Sequence, residues 1–155
     1  AVQQAGVVVG LGGVAAHVLC KLPRDAEGYM GRLRCVQEIS AVTAACMMVK
    51  TSVFKAVGGF DEELKVAFND IDLCMKVRKY GVKIVFTPYA ELYHYESKSR
   101  GMEDTPEKQL RFSREVNCFR RKWERELLKG DPYYNPNLTL NNTDCSLRKQ
   151  EKNGD

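Results

Sequence analysis

Few side chains in this sequence could do chemistry, and they gather in two places. The first is Phe68-Asn69-Asp70-Ile71-Asp72-Leu73-Cys74, and the second is His94, between Tyr93 and Tyr95. Carboxylates and an imidazole are the groups for acid–base work or for holding a metal. Asn69 has the right side chain to cap a helix, and Asp70 and Asp72 then lie at its positive end, where carboxylates are favoured. At helical spacing Asp70, Leu73, Cys74 and Val77 share one face, which should look inward. Asp72, Lys76 and Lys79 share another, read as a solvated stripe with an i, i+4 ion pair. Asp70 is therefore a carboxylate at the rim of a buried face. A plain turn-capping acid fits the same spacing, and for His94 a hydrogen-bonded structural role competes with metal ligation.

The elements that must position these groups follow from local signals. Val2 to Val9 reads as a buried strand closed by Gly10-Leu11-Gly12-Gly13. That glycine turn is not a phosphate loop, because no helix opening on Lys-Ser/Thr follows it. Residues 17–38 read as an exposed excursion able to close over a ligand. Ile39 to Val49 is a small-residue, β-leaning run read as a central strand, whose alanines would let a substrate approach. Thr51 or Ser52 should cap a short helix over 52–57, ended by Gly58.

The helix after Asn69 should span 70–80 and stop at Gly81. Lys83 to Phe86 and Ala90 to Tyr95 read as strands, the second delivering His94. Thr105-Pro106-Glu107 opens a helix predicted to reach Leu128 and stop at Gly130. Phe112, Val116, Phe119, Trp123 and Leu127 form its apolar seam, and Arg114, Arg121, Lys122 and Arg125 its basic face. The expected division is residues 1–130 as domain and 131–155 as a polar tail, loop or partly disordered. Strands alternating with helices give an α/β class, with too few of them for a complete doubly wound domain, and no internal repeat is visible.

Composition excludes little. The chain has 155 residues, 44% hydrophobic and 28% charged, which suffices for one globular core. A net charge of +4 without a basic, aromatic-interleaved stripe argues against nucleic acid. Six scattered cysteines with no C-x-x-C pair fit reduced thiols better than disulfides or a zinc site. The longest apolar stretch, residues 6–20, is too short to span a bilayer. Opening on Ala1 within an apparent strand, the chain looks like a piece of something larger.

Val-Gly-Gly-Phe-Asp-Glu, Phe-Asn-Asp-Ile-Asp-Leu-Cys-Met-Lys-Val-Arg-Lys-Tyr-Gly, Ile-Val-Phe-Thr-Pro and Tyr-His-Tyr-Glu-Ser, in this order across residues 39–100, resemble the second half of a family 2 glycosyltransferase of the GT-A fold. The flanking Val-Gln-Gln-Ala-Gly-Val-Val-Val-Gly and Asp-Pro-Tyr-Tyr-Asn-Pro-Asn-Leu are similar to the bacterial cell-surface polysaccharide branch, with its rhamnosyl- and galactofuranosyl-transferases. The resemblance implies inverting transfer from a nucleotide-diphosphate sugar to a glycan or lipid-linked acceptor. Asp70 matches the general base. Asn69 stands where the family commonly has a first acid, which puts acceptor recognition there in question.

The resemblance further assigns His94 to a divalent metal, Mn²⁺ or Mg²⁺, together with an upstream Asp-X-Asp in the nucleotide-binding half, which this chain does not contain. Asp70-Ile71-Asp72 is not that donor motif. Gly59, Phe60, Asp61, Asn69 and Ala45 are the expected substrate-side positions. The chain alone is expected to be inactive, to pair as a homodimer through open edges, and to belong to the cytoplasm, including the inner membrane face. Two alternatives stand beside this. One is a non-catalytic glycan- or protein-binding module. The other is peripheral contact with lipid through the basic helix 106–128.

Overall fold

The structure is a computed structural model and describes residues 1–95 and 105–149. The end of the His94 motif, Glu96-Ser97, and residues 150–155 of the tail lie outside the described residues. The architecture is mixed α/β, with short sheets and helices.

Strands β1 (Val7–Val9) and β2 (Ala15–His17) form an antiparallel hairpin, with Val7 opposite His17 and Val9 opposite Ala15. The sequence signal stopped at the glycines. They do not merely end a strand but reverse it, since Gly10, Gly12 and Gly13 all take positive φ. A second antiparallel pair joins β3 (Gln37–Glu38) to β4 (Val85–Phe86).

Ile39 to Val49 is not a central strand. Ala41 makes an isolated bridge with Val7, and Ala44–Cys46 is a 3₁₀ turn whose Thr43 hydroxyl accepts from Ala45 N–H at 3.5 Å. Ile39 N–H bonds the Ile84 carbonyl at 3.0 Å and Ala41 meets Val7, but beyond residue 41 the β-leaning residues have no ladder to join. Residues 90–95 form no strand either, and β4 is shorter than the expected 83–86.

Four helices follow from the expected segments: α1 (Thr51–Ala56), α2 (Asn69–Lys79), α3 (Pro106–Lys122) and α4 (Glu124–Lys129). Neither Thr51 nor Ser52 caps α1, which starts after Lys50 without a side-chain cap. Its end is as expected, with Gly58 at φ +80°. Thr105 caps α3 by accepting from Lys108 N–H, and Pro106 opens it. The single helix expected to Leu128 instead breaks at Trp123 (φ −115°, ψ 21°).

Alternation along β1 divides the interior in two. Val7 and Val9 face one core with Ala41, Leu64, Ile71, Cys74, Phe119 and Trp123. Val8, pointing the other way, joins Leu11, Val18, Leu33, Tyr134, Leu138 and Cys145. Residues 17–38 are thus only partly an exposed excursion, since Val18, Leu19 and Leu33 are core. Residues 131–149 carry no helix or strand, yet they close the second core, and Asp131 Oδ2 accepts from Val9 N–H at 2.8 Å.

Candidate functional site

Asp70 stands in the first turn of α2, half-buried. Its Oδ2 accepts from Ala44 N–H and its Oδ1 from Ile71 N–H, both at 2.9 Å. Each carboxylate oxygen has two lone-pair directions, so each keeps one free of these bonds. Leu73, Cys74 and Val77 on the same helix are buried, as the spacing predicts. They line an apolar groove of about 810 Å³ together with Ala44, Ala45 and Met48. Asp70 does not itself line this groove, but it bonds to Ala44, which does, next to Ala45.

Asn69 is not the N-cap. That position belongs to Phe68, held in the left-handed region at φ 63°, and Asn69 is the first helical residue. The backbone just before it is held from α3 instead. The buried carboxylate of Glu115 accepts from Val66 N–H at 2.9 Å and Ala67 N–H at 3.0 Å.

Gly59, Phe60 and Asp61 lie in a different environment from the groove. Gly59, at φ +64°, is buried against the Phe54 ring, and its carbonyl accepts from Lys76 Nζ at 2.5 Å. Phe60 meets Phe54 edge-on, with ring centroids 5.4 Å apart. Asp61 accepts from Glu63 N–H at 3.0 Å and pairs with Lys122.

The expected solvated stripe is overturned at Asp72, which is fully buried. Trp123 Nε1 donates to its Oδ1 at 2.8 Å, and Lys122 Nζ lies 2.8 Å from the same oxygen. Lys76 Nζ is an ion-pair partner 3.0 Å from Oδ2. Lys122 therefore keeps its place on the exposed basic face with Arg114, Arg121 and Arg125, but its ammonium end reaches in to the buried carboxylate. Burial works against the Lys122 charge, but its bonds to Asp61 and Asp72 outweigh that and hold its pKa above the ordinary lysine value. The bond to Lys122, helped by the one from Glu63 N–H, holds Asp61 below the usual carboxylate range.

His94 is exposed, with Nδ1 2.9 Å from Gln3 Oε1. Among the described residues no group of three or more His, Cys, Asp or Glu side chains is placed to hold a metal. One imidazole does not make a divalent-ion site, which for Mg²⁺ or Mn²⁺ draws chiefly on oxygen ligands.

Glu115, Asp72, Lys122 and Trp123 escaped the sequence reading as functional candidates. Glu115 carried a signal, being an acid four residues before Phe119 on an otherwise apolar seam. The indole N–H of Trp123 carried another, since a buried Trp needs an acceptor. A second cleft, of about 540 Å³, lies at the far end of α2, and three of the cations that line it are engaged: Lys79 pairs with Glu126 at 2.8 Å, Lys83 pairs with Glu38, and Arg78 stacks on Tyr133.

No family model matches the chain, and no solved structure matches it significantly. Curated proteins do. The chain is 56% identical over 147 residues to the uncharacterized protein y4gI of Sinorhizobium fredii, covering 94% of this chain and 16% of that protein. It is 38% identical over 155 residues to the O-antigen biosynthesis protein RfbC of Myxococcus xanthus, covering 99% of this chain and 12% of that one. Over 62 residues it is 36% identical to the N-acetylglucosaminyl-diphospho-decaprenol L-rhamnosyltransferase of Mycobacterium tuberculosis, covering 40% of this chain and 20% of that enzyme. The chain thus spans well under a fifth of the length of its two most fully aligned relatives. By these matches it is a relative of the family 2 glycosyltransferases, corresponding to one segment of much longer proteins.

Proposed function

We propose that this chain is the acceptor-side part of an inverting glycosyltransferase of the GT-A type, with Asp70 as general base. The donor is a nucleotide-diphosphate sugar and the acceptor a glycan or lipid-linked hydroxyl, in bacterial cell-surface polysaccharide synthesis. Asp70 takes the proton of the acceptor hydroxyl as that oxygen attacks the anomeric carbon. The bond from this carbon to the diphosphate breaks, and the nucleoside diphosphate leaves with the bonding electrons.

What carries the reading is the Asp70 carboxylate, held by Ala44 N–H beside an open groove in a chain related to glycosyltransferases. On the substrate side Ala45 leaves room at the groove, while Asn69 and Gly59, Phe60 and Asp61, which lie away from it, act by fixing the approach to α2. When bound, a divalent ion, Mn²⁺ or Mg²⁺, would neutralise charge on the leaving diphosphate. His94 would give it one nitrogen, and the other ligands would come from outside this chain. The site belongs to the cytoplasm or the inner membrane face. Among the described residues no helix is long and apolar enough to cross a membrane.

The test is Asp70→Asn in the full-length protein. Turnover should fall by about 10²-fold or more, the usual contribution of a positioned base, with the melting temperature little changed. Near-normal turnover overturns the assignment. The chain alone should bind nucleotide-sugars with Kd above about 1 mM, and light scattering should show it as a homodimer.

A further inference from the structure

Glu115 is a buried acid spent on backbone. Its side chain is 3% exposed, and the nearest cation, Arg111 Nε, is 3.8 Å away. Its two oxygens instead take the Val66 and Ala67 amides, from a segment 48 to 49 residues away in sequence. Burying a carboxylate is costly unless its bonds are made, so a loop needing only to be covered would be served more cheaply by an apolar side chain. The two amides belong to an irregular segment with no strand partner. They are followed at once by Phe68 in the left-handed region, then Asn69 and Asp70. The Phe68 ring packs on Phe112 and Phe119 of α3, with centroids 5.8 and 5.3 Å away, so the helix of Glu115 holds the entry to α2 both by these rings and by that carboxylate.

We propose that Glu115 is a positioning residue for Asp70: by fixing Val66 and Ala67 it sets the entry of the chain into α2 and so aims the Asp70 carboxylate at the acceptor. This rests on Asp70 being the base. A displacement of about 1 Å at a reacting group can cost on the order of 10²-fold in rate, so the effect of a loosened entry should be large even though Glu115 never touches substrate.

The experiment is a double-mutant series in the full-length protein, with sugar transfer measured per folded molecule. Glu115→Gln keeps the side-chain volume but turns one acceptor into a donor facing an N–H group. Its kcat should fall between about 10- and 100-fold, with donor KM unchanged. Amide exchange over 66–67 should speed up. Asp70→Asn introduced into Glu115→Gln should then cost much less than it does in the native protein, because the base is already misaimed. Should Glu115→Gln fail to fold, Glu115→Asp, which keeps the charge but retracts it by one methylene, carries the same expectations. Unchanged kcat per folded molecule, or losses that multiply independently, would show a role in stability alone and overturn the proposal. Near-normal turnover of Asp70→Asn by itself is a separate result that removes the base on which the proposal depends.

Discussion

The indole nitrogen of Trp123 donates to Asp72 Oδ1 across 2.8 Å, and both side chains are almost entirely out of water, at 2% and 0% exposure. This single bond ties the break between α3 and α4 to the first turns of α2. Trp123→Phe keeps most of the packing and removes the donor, so it should cost about 1.5–3 kcal/mol, the range for a hydrogen bond to a charged group. Asp72→Ala leaves the buried indole without its acceptor and Lys122 with Asp61 alone. It should reach the lower end of about 3–5 kcal/mol, because the lysines keep some contact with water. Urea unfolding of the chain reads both, and a cost under about 0.5 kcal/mol for Asp72→Ala would show the cluster to be incidental.

Asp61 sets a pH limit. Its native pKa is lowered, chiefly by Lys122, so the stability it contributes is fully present above the unfolded value of about 3.9. That contribution is lost as pH falls through the lowered native value. Asp61→Asn should reduce stability at neutral pH and flatten the acid limb of the stability profile below about pH 4. An acid limb of unchanged steepness would rule Asp61 out as its source.

Gly59 tests the turn between α1 and α2. At φ +64° an L side chain is strained, and a Cβ there would sit 3.1 Å from the Phe54 ring. Gly59→Ala should cost about 1–2 kcal/mol, seen as a lower melting temperature. Gly58→Ala, where a Cβ would meet nothing within 4 Å, should cost less.

All six cysteines are free thiols, but their reactivity should differ widely. Burial pushes Cys74 up to about 11, while Cys35 is exposed. Only the thiolate attacks. At pH 7.5, iodoacetamide followed by peptide mass spectrometry should label Cys35 quickly and Cys74 only on unfolding. Rapid labelling of Cys74 in the folded chain would contradict its packing against Val42.

Local signals were legible in the sequence because their causes are local. The glycine ends of α1 and α2, the Thr105-Pro106 start of α3 and the buried face of Leu73, Cys74 and Val77 all follow from residues within a few positions of each other. Asp72 was misread because Lys76, one turn away, explained it well enough. Trp123 and Lys122, which bury it, are about 50 residues further on. The run 39–49 was misread for a related reason, as its residues favour a strand but only Ala41 finds a strand partner. The role proposed for Asp70 draws on resemblance and spacing together, and its bond to Ala44 N–H, 26 positions away, is a pairing that neither residue alone reveals.

The bond from Asp131 to Val9 spans 122 positions, and Phe119, Tyr134 and Leu138 close interiors opened by residues 5–19. During synthesis, therefore, the two cores that the first hairpin enters stay incomplete until nearly the whole segment has left the ribosome. At about 5–20 residues per second this amounts to a delay on the order of ten seconds. A slow, non-local closure of this kind lengthens the time in which apolar surface of the nascent segment can aggregate. It also makes substitutions near Asp131 candidates for lowering yield in cells more than they lower stability in the tube.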